Sequence, residues 1–125
     1  MSIQYAVEGK GAYLYFAGNG IEEGLEENMK IHAMILETCK RLSHSRVLID
    51  DRQVEYTSSI LSLYDLAGHY KTTGAFSELD KVAVVANVQY HKDNVFYENV
   101  TRNRGINLRV FYDFDEAVAW LKNDE

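Results

Sequence analysis

Two short apolar runs without alternation constrain this chain most: Val47-Leu48-Ile49 within Arg46 to Asp51, and Val82-Ala83-Val84-Val85 within Lys81 to Asn87. A strand with one wet face alternates apolar and polar residues, whereas a strand covered on both faces reads as a continuous β-branched run. Both runs therefore predict strands inside a largely parallel sheet. Parallel strands need crossover connections, and those crossovers place helices over the sheet faces.

The segments around the runs fit that plan. Ile3 to Glu8 and Ala12 to Ala17 flank Gly9-Lys10-Gly11 and predict an opening β-hairpin. Asn19-Gly20 breaks the pattern, and Glu22, Glu23, Glu26 and Glu27 then crowd a helix start, where carboxylates complement the positive end of the dipole. Leu25, Met29, Ile35, Leu36, Cys39 and Leu42 recur at the spacing of a core-facing stripe. After a turn at Arg52 to Tyr56, Thr57-Ser58-Ser59 offers caps for a second helix, with Ile60, Leu61, Tyr64 and Ala67 inward. Gly68 and Gly74 limit its length. Asn94 to Arg104 predicts a third helix through Val95, Phe96, Asn99 and Val100, and Asn107 to Tyr112 the last strand. Phe114, Ala117, Val118 and Leu121 stripe a terminal helix beside Trp120. The expected order is ββαβαβαβα, an α/β fold with about four helices and a mixed sheet: an N-terminal hairpin plus mostly parallel strands.

With 125 residues, no linker and no repeat, residues 1–125 read as one domain, long enough to bury roughly two thirds of its unfolded surface. No apolar run approaches the length of a membrane span, and the opening MSIQYAVEGKG has neither the basic start nor the apolar stretch of a signal peptide, so the cytoplasm is expected. A net charge of −6 repels a phosphate backbone and argues against nucleic acid as a partner. Arg102, Arg104 and Arg109 read as a solvated helix end. The single Cys39 excludes an internal disulfide and sits on an apolar stripe as a small hydrophobe.

The order of elements, the stretch Val47 to Leu61 and the ending Phe111-Tyr-Asp-Phe-Asp-Glu-Ala-Val-Ala-Trp-Leu121 together resemble the STAS and SpoIIAA-like domains. The resemblance spans almost the whole chain and implies a SpoIIAA-like fold. In the anti-sigma factor antagonists of that group, a serine at the start of the helix after the central strand is a phosphorylation switch, usually within Asp-Ser-Ser-Gly. Thr57-Ser58-Ser59-Ile60 occupies that place, with Thr57 where the pattern has aspartate and Ile60 where it has glycine. The resemblance thus implies a regulatory or protein-interaction module with a degenerate switch at Thr57, Ser58 and Ser59, flanked by a surface of Asp50, Asp51, Arg52 and Tyr56. Its partner would be another protein or a second copy in a homodimer. As plain chemistry, the same serines are ordinary helix caps.

Two other readings stand beside it. One is a carrier of a small apolar or lipid ligand, which needs a cavity beneath the helices. The other is a small enzyme using Asp50 and Asp51, which end a central strand where α/β sheets form their crevices. Asp51 with Arg52 reads more simply as an exposed ion pair. The histidines His32, His44, His69 and His91 have no metal-ligand spacing, although His69 and His91 could converge near the sheet edge. Glycine-rich phosphate loops and the nucleophile elbow are missing from the sequence, which weakens the dinucleotide, nucleoside triphosphate and hydrolase forms of the enzyme reading, and no cofactor is expected. Tyrosines at Tyr56, Tyr64, Tyr70, Tyr90, Tyr97 and Tyr112 suit an interface or a pocket.

Overall fold

The structure, a computed structural model, describes residues 3–22, 24–56, 76 and 78–124. The expected helix over Thr57 to Ala67 lies outside the described residues. The opening residues form strands β1 (Ile3–Gly9) and β2 (Leu14–Glu22). Helix α1 (Leu25–Arg41) leads into β3 (Arg46–Tyr56), and β4 (Lys81–Val85) follows. A 3-10 turn, Val88–Tyr90, leads into α2 (His91–Asn103), then β5 (Leu108–Phe111) and α3 (Phe114–Lys122).

The sheet has five strands in the order β1-β2-β3-β4-β5. β1 runs antiparallel to β2, pairing Ile3 with Gly20 and Gly9 with Leu14, and β2, β3, β4 and β5 are parallel to one another. The mixed sheet with a leading hairpin is the one that the sequence predicts. Gly11, at φ 81°, takes the left-handed position that the hairpin turn requires.

The non-alternating runs behave as expected. Val47 and Ile49 of β3, with Val82 and Val84 of β4, pack on one face with Ile31, Ile35 and Cys39 of α1 and Tyr97 of α2. Leu48, Ala83 and Val85 pack on the other face with Ala117 and Leu121 of α3. Strand side chains alternate between faces, so a run buried throughout requires a cover on both sides.

Several boundaries move. β2 continues through Asn19-Gly20 to Glu22, because β3 also runs past Asp51 and supplies partners from Gln53 to Tyr56. The expected turn at Arg52 to Tyr56 is therefore strand, and Val54 is buried in it. Glu22 ends a strand instead of opening the helix; its buried carboxylate accepts hydrogen bonds from the Gly24 amide at 2.9 Å and from Asn28 Nδ2 at 2.7 Å. In α2 the inward positions are Tyr97, Val100 and Thr101, while Val95 is exposed. The helix starts at His91, three residues before the expected Asn94, and of the expected inward positions Val100 is buried, with Tyr97 and Thr101 beside it on the same face. Leu42 is exposed beyond the end of α1. The stripe expected on the terminal helix holds: Ala117 and Leu121 are buried, with Phe114, Val118 and Trp120 packed against them.

Candidate functional site

Adjacent residues on a strand point to opposite faces, and this separates the two central aspartates. Asp50 points to the α3 face. Its carboxylate accepts a fork from Arg52, with Nε to Oδ1 at 2.9 Å and Nη2 to Oδ2 at 2.8 Å, and the Tyr15 hydroxyl at 2.8 Å. Burial alone would raise its pKa, but the hydrogen bonds from Arg52 and Tyr15 outweigh it and hold the carboxyl below its ordinary value. The Arg52 guanidinium lies over the Phe114 ring at 5.3 Å, which further fixes the pair.

Asp51 points the other way, into the α1 and α2 side, where it is buried. The Tyr5 hydroxyl donates to Oδ1 at 2.7 Å, and the Tyr56 hydroxyl donates to Oδ2. Burial raises the Asp51 carboxyl above its usual range, opposed by these two hydrogen bonds, while the nearby Asp50 charge pushes in the same direction as burial. Tyr5 and Tyr56 are raised in turn, first by burial and then by the Asp51 charge.

The geometry that delivers Tyr5 to Asp51 depends on a missing side chain. Tyr5 is the register partner of Gly18 across the hairpin. A Cβ at Gly18 would stand 2.5 Å from Tyr5 Cε1 and 2.9 Å from Cζ, so only glycine lets the ring lie across β2 and reach β3. The β2–β3 register shifts between Ala17 and Asn19, next to this contact. Such bulges commonly re-aim a side chain.

Around Asp51 the structure forms a partly open cavity of about 50 Å³. Tyr5, Asp51 and Tyr56 line it from the sheet, Asn28 and His32 from α1, and Tyr90, Asp93 and Tyr97 from the 3-10 turn and α2. Tyr90 closes on Tyr56 edge to face at 5.2 Å and its hydroxyl accepts the Tyr56 amide at 3.2 Å. His32 stacks edge to face on Phe76 at 5.2 Å. The cavity lies between the sheet and the helices α1 and α2, over Ile49 and Asp51 of β3, Val84 of β4 and Leu108 of β5.

The expected surface of Asp50, Asp51, Arg52 and Tyr56 needs correction. Both aspartates are buried, Arg52 pairs with Asp50 instead of Asp51, and Tyr56 turns inward to Asp51. The burial follows from the length of β3, which carries these residues inside the sheet instead of into a turn. Thr57, Ser58 and Ser59 lie outside the described residues and follow Tyr56 directly in sequence. His69 lies outside them too, so its convergence with His91 is not described; His91 Nδ1 instead meets the Tyr112 hydroxyl at 2.9 Å. Among the described residues no group of three or more histidine, cysteine or acidic side chains could hold a metal ion. Arg102 Nη1 reaches the Leu108 carbonyl at 3.4 Å, and Arg109 stacks on Phe111 and Trp120. Tyr56, Tyr90 and Tyr97 do converge, as the abundance of tyrosine suggests. Tyr5, Asn28 and His32 join the site without a sequence motif of their own, and the pairing of Tyr5 with a glycine across the hairpin is the one local signal that points to the first.

Comparison with solved structures defines the class of fold. An anti-sigma factor antagonist from Mycobacterium paratuberculosis matches 98% of this chain and 96% of its own, with a TM-score of 0.64 at 18% identity. An uncharacterized protein with a SpoIIAA-like fold from Shewanella loihica matches 96% of this chain and 94% of its own, with a TM-score of 0.57 at 17% identity. No family model matches the sequence, and no curated protein matches it. The chain has the SpoIIAA-like fold of STAS domains, as the resemblance implies. No helix among the described residues is long and apolar enough to cross a membrane.

Proposed function

We propose that this chain is a regulatory module that works by binding another protein through the surface at the carboxyl end of β3, where Tyr56 passes into Thr57, Ser58 and Ser59. The observation that carries the reading is the end-to-end likeness to an anti-sigma factor antagonist, over 98% of this chain. The opposed aspartates also favour it over the enzyme reading. Asp50 and Asp51 lie on opposite faces of the sheet and cannot act together on one substrate.

A phosphate on Ser58 or Ser59 would add almost two negative charges beside the partner surface and change its affinity. Native mass spectrometry of the chain recovered gently from its own cells tests this. The expected result is a stoichiometric complex with one protein partner, diminished by Ser58→Asp with Ser59→Asp and retained by the paired alanine changes. A chain without a partner in every growth phase, or a complex indifferent to the aspartate pair, would refute the module or its switch respectively.

A further inference from the structure

Charge is distributed unevenly around the cavity. Two carboxyl groups line it, the buried Asp51 and the half-buried Asp93, and no lysine or arginine is among its described lining residues. The nearest sequence cation, Arg52, is committed to Asp50 on the opposite face of the sheet. A buried carboxylate is costly unless a positive group or several donors meet it. Asp51 has one tyrosine hydroxyl on each oxygen, and each oxygen retains a second acceptor lone pair. Tyr5, Tyr56, Tyr90 and Tyr97 surround the same space, and the faces of such rings attract cations.

We propose that this cavity binds a small organic cation, an alkylammonium of few carbons, through the Asp51 carboxylate and the surrounding tyrosine rings. The volume of about 50 Å³ sets the size. A single water needs roughly 10–15 Å³ of such space, so the cavity takes several waters or a ligand of about four or five heavy atoms. An anion of the same size meets two carboxyl groups, and an apolar molecule leaves the carboxylate without a new partner. The proposal is independent of the partner-binding reading, because the titration that tests it uses the isolated chain and no partner.

The test is a titration followed by NMR of the tyrosine rings, with ethylammonium chloride, ethanol and sodium acetate as probes at constant ionic strength. Ethylammonium is expected to give saturable shifts at Tyr5, Tyr56 and Tyr90, with ethanol weaker and acetate silent. Asp51→Asn should weaken ethylammonium at least tenfold, the loss expected for one charge-assisted contact. Amide dispersion shows whether that variant is folded, and Asp93→Asn, on the outer helix, provides a second variant with a smaller expected loss. Equal response to ethanol or acetate, absence of saturation with ethylammonium, or unchanged binding in a folded Asp51→Asn chain would overturn the assignment.

Discussion

Replacing Gly18 by alanine tests the link between the hairpin and the buried aspartate. The new methyl group would lie 2.5 Å from Tyr5 Cε1 and 3.1 Å from Cδ1, well inside van der Waals contact. The ring has two responses. It can stay and be compressed, at an overpacking cost of about 1–3 kcal/mol. It can swing away, but its hydroxyl then leaves Asp51 Oδ1, now at 2.7 Å, and forfeits a bond to a charged group worth roughly 1.5–3 kcal/mol. Alanine recovers about 0.5–1 kcal/mol of backbone entropy in a strand. The net loss is therefore about 1–2 kcal/mol, or a fall of roughly 3–8 °C in Tm for a chain of this size. Urea denaturation of Gly18→Ala, Tyr5→Phe and the double variant measures it. In the Tyr5→Phe background the ring has no hydrogen bond to lose, so Gly18→Ala should cost less there, with a coupling of about 1 kcal/mol. Strict additivity, or a Gly18→Ala chain as stable as the parent, would refute the argument.

The two aspartates should give opposite pH dependences. Asp51 has a raised folded-state value, so it holds its proton more tightly when folded; its contribution to stability falls as pH rises from the usual carboxylate value, about 4, through the raised one. Asp51→Asn should remove that fall in denaturation curves taken across this window. Asp50 is lowered, so its contribution is present above the usual value and lost as pH drops through the lowered one; Asp50→Asn should flatten stability on the acid side, and curves of the same sign for both variants would contradict the assignment. At the start of α3, the Asp113 side chain accepts the Glu116 amide at 3.0 Å, and Asp113→Ala should cost about 1 kcal/mol by thermal denaturation, whereas Asp115→Ala, two residues later and without that bond, should cost less.

Periodicity made the sheet legible but not the site. The runs at Val47 and Val82 reveal strands because burial on both faces leaves a local mark in composition, and Ala117 and Leu121 reveal the last helix by their spacing. The extension of β3 to Tyr56 escaped such reading, since Arg52, Gln53 and Glu55 are polar and exposed, and the strand character of Gln53 to Tyr56 comes from pairing with β2. The same holds for α2, whose buried Tyr97, Val100 and Thr101 include a polar residue that bonds back to the Tyr97 carbonyl at 2.9 Å.

The sequence by itself determined the class of fold, a mixed sheet with a leading hairpin and helices on both faces, because covered strands and striped helices are written in neighbouring residues. It also pointed to the end of β3 as the place to look. Only the tertiary structure decided that Asp50 and Asp51 serve different faces, that Arg52 belongs to the first, and that Tyr5 reaches the second across 46 positions of sequence. These contacts depend on strand register and on the space left at Gly18, and both are set by pairing between distant segments, which local periodicity does not encode.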